Sequence, residues 1–148
     1  PARGQAMTAS KSEPDHDGAN SPSEDELAIR LRRALTGPSA TTLVERAPLL
    51  VVRASVGVGE RRFLLDIDRG RMNVMETLPL LAPWNFAIKG SAAAWAAYWE
   101  PMPRPGWHDL FALSKRGEMS FEGDIHPFMA HLQFFKDLLA LPRTGGTR

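Results

Sequence analysis

The chain contains no cysteine. Disulfides, thiolate nucleophiles and cysteine–metal sites are therefore excluded, and a reducing compartment suits such a composition. An excess of one charge is missing too. Lys and Arg number 18 against 17 Asp and Glu, a net charge of +1, so there is no strong basic field to gather nucleic acid. Long apolar runs are also missing. The longest uncharged stretch, residues 77–88, has 12 residues and two prolines, against the roughly 20 that a bilayer-spanning helix needs. No signal-peptide core stands near the N-terminus, so secretion is not expected. Nucleotide and hydrolase signatures are absent. Gly57-Val58-Gly59 lacks the third glycine of a dinucleotide loop, no Gly-Lys-Ser/Thr follows, and there is no Gly-x-Ser-x-Gly elbow.

What is present suits one domain. The chain has 148 residues, 43% of them hydrophobic, enough for a sizeable core. Residues 1–22 are rich in Ser, Pro, Gly and Asp without apolar periodicity and read as a disordered tail, with residues 1–7 an expression remnant. The domain is expected over 23–141, and a second flexible tail over 142–148. Ser23 to Glu26 forms a capping box with acids in the first turn. Leu27, Ala28, Leu31, Ala34 and Leu35 make the buried stripe of that helix, and Gly37-Pro38 stops it. Strand signals follow at 49–56, 61–68 and 71–77, joined by turns at 57–60 and 68–70. Links this short make an antiparallel meander.

Residues 79–83 lead to a fourth strand, in which Trp84, Phe86 and Ile88 share a face. Ser91 caps an alanine-rich helix bearing Trp95, Tyr98 and Trp99; residues 101–106 form a stiff prolyl loop; a short helix over 108–115 ends at Gly117. In the closing unit Glu118, Ser120 and Glu122 alternate with Met119 and Phe121, the period of a half-buried strand. Gly123-Asp124 breaks the strand, with Asp124 as a cap, and Pro127 opens a helix of about four turns. Ile125, Phe128, Met129, Leu132, Phe135 and Leu139 form one stripe on it. This order gives an α+β fold: a five-stranded, mostly antiparallel sheet covered on one side by helices. A nuclear-transport-factor-like cone is the competing reading, which the helical C-terminus disfavours.

Polar chemistry is sparse. Asp66 and Asp68 lie on one face of a strand, but Asp68-Arg69-Gly70 is ordinary turn chemistry. His126 and His131 are five apart, about 140° around a helix, and do not chelate one metal from a straight helix. His108 beside Asp109 is the one weak candidate for a catalytic acid–base group. Arg30, Arg32 and Arg33 read as a solvated helix face. No metal and no cofactor are expected. The apolar set is less ordinary. All four tryptophans fall between 84 and 107, and methionines lie near them and in the closing unit. Aromatic rings with methionine make adaptable apolar walls, so a ligand pocket between sheet and C-terminal helix is expected. Its walls are Trp84, Phe86, Trp95, Trp99, Met102, Phe111, Phe128, Met129 and Leu132, and a polar head is held near His108, Arg104 or Lys89.

Residues 117–124 with the helix behind them resemble the end of the sterol carrier protein type-2 family, where a strand of the form Gly-x-φ-x-φ-x-Gly-Asp (φ apolar) runs into a closing helix. Residues 86–95, Phe-Ala-Ile-Lys-Gly-Ser-Ala-Ala-Ala-Trp, are similar to the family's strand followed by a helix. The resemblance covers roughly residues 26–141. It implies a small domain with a hydrophobic tunnel for sterols, fatty acids, acyl-CoA or phospholipids, and no catalysis by the domain itself. The C-terminus lacks the peroxisomal Ser-Lys-Leu signal, which suits a bacterial cytoplasmic protein. The leading expectation is non-catalytic binding or transfer of an apolar small molecule, such as a lipid, sterol or acyl chain. Two alternatives stand beside it. One is a cofactor-independent enzyme using His108 on a hydrophobic substrate. The other is an interaction module, as a homodimer or docked onto a larger enzyme.

Overall fold

The computed structural model describes residues 23–76, 84–107 and 109–143. The expected tail over 1–22, the connector at 79–83, His108 and residues 144–148 lie outside that range. Helix α1 (Glu24–Leu35) begins at the capping box read from the sequence: Glu26 N–H donates to Ser23 Oγ at 3.1 Å, and Ser23 N–H to the Glu26 carboxylate at 2.8 Å. Leu27, Ala28, Leu31 and Leu35 are buried. A second helix, α2 (Pro38–Glu45), follows where the sequence predicts only a stop. Pro38 sits in its first turn, where a missing N–H costs nothing, and Ala40 and Val44, four apart, face inward.

The sheet holds β1 (Val51–Val58), β2 (Arg61–Asp68), β3 (Arg71–Glu76), β4 (Phe86–Gly90) and β5 (Met119–Gly123), in the order β3-β2-β1-β4-β5. The first three strands form the expected antiparallel meander, and β4 pairs with β5 antiparallel. β1 and β4 run parallel, with Ala54 opposite Phe86. The fold is α+β with a mostly antiparallel sheet. Alternation along the strands separates its faces. Val52, Ala54, Val56, Phe63, Leu65, Ile67, Phe86 and Ile88 are buried in one core with the helices. The other face carries ion pairs, Arg53 with Asp66 at 3.7 Å and Lys89 with Glu122 at 2.5 Å. Asp68 pairs with Arg69 at 2.8 Å, so the two strand carboxylates are separately neutralised and form no acid–base pair.

After β4 come α3 (Ala92–Tyr98), capped by Ser91, and α4 (Leu110–Lys115), capped by Asp109. The closing helix is not one helix. α5 (His126–Ala130) and α6 (Leu132–Leu139) are divided at His131, whose backbone leaves the helical region at φ −124° and ψ 42°. The expected stripe is only partly buried. Phe128, Phe135, Leu138 and Leu139 are buried, while Ile125 and Met129 stand 38% and 48% exposed. Pro142 and Arg143, expected in a flexible tail, are tied down: Arg30 donates to the Pro142 carbonyl at 2.8 Å, and Arg143 donates twice to the Tyr98 carbonyl, at 3.0 and 2.8 Å. Among the described residues no helix is long and apolar enough to cross a membrane.

Candidate apolar site

Phenylalanines from five elements meet beneath the two C-terminal helices. Strand alternation turns Phe86 of β4 and Phe121 of β5 to the helix side, Phe121 lying opposite Ile88. Asp109 starts α4 by accepting the Phe111 N–H at 2.9 Å, which fixes Phe111 at the helix entry. Gly123 ends β5 at φ +83°, with the Trp84 ring packed against it, a position no side chain fits without displacing that ring. Asp124 then accepts the His126 N–H at 3.0 Å and turns the chain into α5.

The Phe128 ring is the centre of the group. Its centroid lies 5.6 Å from Phe86, 5.8 Å from Phe111, 5.1 Å from Phe121 and 5.5 Å from Phe135. The first three contacts are edge-to-face, the arrangement that the ring quadrupole favours. Phe111 and Phe121 stack at 5.8 Å and remain half-buried at the outer side, as does Leu132. These side chains are hydrocarbon throughout. Charge enters at the rim, where the Lys136 ammonium lies 5.9 Å over the Phe111 ring and 4.0 Å from Asp109.

Of the nine walls expected from the sequence, Phe86, Phe111 and Phe128 come together here, and Leu132 packs beside them. Trp95 and Trp99 form a separate packed group on α3. Each is fully buried, and each spends its indole N–H on a backbone carbonyl: Trp95 on Gly57 at 2.8 Å, Trp99 on Leu139 at 2.7 Å. Trp84 covers Gly123. Met102 stands 87% exposed on the prolyl loop, and Met129, next to Phe128 on α5 but about 100° around the helix from it, is 48% exposed. Phe121 and Phe135 belong to the box but are not among the nine expected walls. Their signal is the alternation of β5 and the stripe of the closing helix. The expected head-group anchors also move. Lys89 lies on the opposite face of the sheet, paired with Glu122. Arg104 is stacked 4.9 Å over Trp107, whose other neighbour is Arg116 at 5.1 Å. His108 lies outside the described residues.

Titration is perturbed away from the box. Burial pushes the Tyr98 phenol up to about 12; Arg143 pulls it down, and Asp109 and Asp137 add to the rise. Burial lowers Arg30, and the Arg61 guanidinium holds the Glu76 carboxylate below its usual range. Among the described residues no three His, Asp or Glu side chains gather closely enough to hold a metal. A cleft of about 850 Å³ opens elsewhere, between α2 and α6, with Leu43, Ala140 and Leu141 on its walls and Arg33, Arg143 and Asp137 among its polar groups.

The sequence matches no protein-family model, and no curated protein is significantly similar to it. Solved structures do match in shape. A crystal structure of sterol carrier protein 2 aligns over 80% of this chain and 93% of its own, with a TM-score of 0.54 at 16% identity. The solution structure of a conserved hypothetical protein of Thermus thermophilus, for which a sterol-carrier role is suggested, aligns over 82% and 89%, with a TM-score of 0.51 at 14% identity. A ubiquinone synthesis protein, UbiJ-SCP2, aligns over 78% and 90%, with a TM-score of 0.47 at 19% identity. The chain has the sterol carrier protein 2-like fold.

Proposed function

We propose that this domain binds an apolar small molecule, a lipid, sterol or acyl chain, between the β4–β5 edge and the C-terminal helices, and carries out no chemistry on it. The observation that carries the reading is the phenylalanine box. Phe86, Phe111, Phe121 and Phe135 surround Phe128 in a region walled by hydrocarbon, two of them half-buried at its outer side. The likeness in fold to sterol carrier protein 2 supports it. Binding is by desolvation. A chain of about ten methylenes contributes about 8 kcal/mol, before the costs of association and of rearranging the rings are subtracted. A polar head stays at the rim, within reach of Lys136, whose contact with Asp109 at 4.0 Å is long enough to leave it available.

Native mass spectrometry of the purified protein, followed by solvent extraction, tests this reading. The expected result is a co-purifying apolar molecule at near one per chain, or uptake of added dodecanoic acid or cholesterol at that ratio. A bare mass that accepts neither probe overturns it.

A further inference from the structure

We infer that α5 is a gate over the phenylalanine box and that Phe128 is the residue that holds it shut. The inference rests on the apolar-ligand reading above and adds the element that moves and the side chain that must be displaced.

The two C-terminal helices are anchored very differently. α6 is pinned along its length. Phe135, Leu138 and Leu139 are buried, the Leu139 carbonyl accepts the Trp99 indole N–H, and the chain just beyond is held by Arg30 and Arg143. α5 has five residues, and Phe128 is its buried side chain. Ile125 before it and Met129 within it face out; Asp124 holds its first N–H, that of His126, at 3.0 Å, and the start of α6 has no side-chain cap. At its ends the Met129 N–H bonds Ile125 and the His131 N–H bonds Pro127.

Non-helical residues stand at both ends, Asp124 and Ile125 before it and His131 after it. A five-residue segment with a joint at each end and one buried ring can swing without disturbing the sheet or α6. Low-stability segments of this kind open locally, at a cost far below global unfolding. The Phe128 ring fills the centre of the box, so a ligand enters only by taking its place. When α5 swings out, the faces and edges of Phe86, Phe111, Phe121 and Phe135 that Phe128 covers become the lining. Phe128 thus sets both the rate of entry and the size of what fits.

Two measurements on the full chain test the gate. In hydrogen exchange of the ligand-free protein, the Met129 and His131 amides are expected to exchange about tenfold or more faster than those of Phe135 and Ala140. Equal rates in the two helices overturn the inference. In stopped-flow uptake of dodecanoic acid or cholesterol, Phe128→Ala is expected to take up probe about tenfold faster than the wild type. Leu138→Ala is the control, a buried side chain of the pinned helix that is not one of the rings of the box; it is expected to lose thermal stability without speeding uptake. Faster uptake in both variants, or in neither while the probe still binds, overturns the gate and leaves the apolar-binding reading standing. If neither the wild type nor a folded Phe128→Ala takes up either probe, both fall.

Discussion

Tyr98 is the only tyrosine in the chain, so its ionisation can be watched alone. Its side chain is 2% exposed, and burial raises the phenol from its ordinary value of 10.0 to about 12. The two acids nearest in effect, Asp109 and Asp137, push the same way, and Arg143 pushes against them. The phenol keeps its proton in the folded chain and loses it near pH 10 in the unfolded one. Below pH 10 both states are protonated, and the contribution to stability is intact. Between pH 10 and 12 the unfolded state holds fewer protons than the folded state, so stability falls as pH rises. The stability lost across that window is on the order of 3 kcal/mol. The assay is phenolate absorbance against pH, with circular dichroism recorded alongside. The expected midpoint lies well above 10, or the rise in absorbance coincides with unfolding. Tyr98→Phe is expected to remove this part of the alkaline loss. Titration near pH 10 in a chain still folded would refute the packing of α3 against the C-terminal segment.

Other consequences follow from the same contacts. Trp99→Phe removes the donor to the Leu139 carbonyl and leaves a gap under α6; a loss of about 2–4 kcal/mol is expected, read as a lower thermal midpoint. Gly123→Ala places a methyl 2.6 Å from the Asn85 carbonyl oxygen and 2.7 Å from the Trp84 ring, at φ +83°. It is expected to cost about 1–3 kcal/mol in denaturant unfolding and to change Trp84 fluorescence. Ser23→Ala opens the capping box of α1 and is expected to cost about 1 kcal/mol in the same assay, with the fold unchanged.

Much of the fold is written locally. The capping box at Ser23, the alternation of Phe63, Leu65 and Ile67, and the Gly123-Asp124 break each name their own element. Three features are not. α2 hides behind Gly37-Pro38 and two threonines, and its buried side chains are only Ala40 and Val44, with Leu43 partly buried beside them. The parallel pairing of β1 with β4 joins residues about thirty apart, and no local pattern records it. The break at His131 carries neither proline nor glycine, so the apolar stripe runs across it uninterrupted in sequence while the backbone turns. The site is legible to the same degree. Ring spacing on separate elements foretells Phe86, Phe111 and Phe128, which meet. It does not foretell that Trp95 and Trp99 are committed to the Gly57 and Leu139 carbonyls. Which buried donor meets which carbonyl is set by tertiary packing.

The central claim is that an apolar molecule occupies the phenylalanine box, and its most direct test is where such a molecule sits. Intermolecular nuclear Overhauser contacts from bound dodecanoic acid or cholesterol to the isotope-labelled protein would locate it. The account predicts contacts to the Phe86, Phe111 and Phe121 rings, with the Phe128 ring moved from its present place among them. Contacts instead to Leu43, Ala140 and Leu141, in the cleft between α2 and α6, would contradict it.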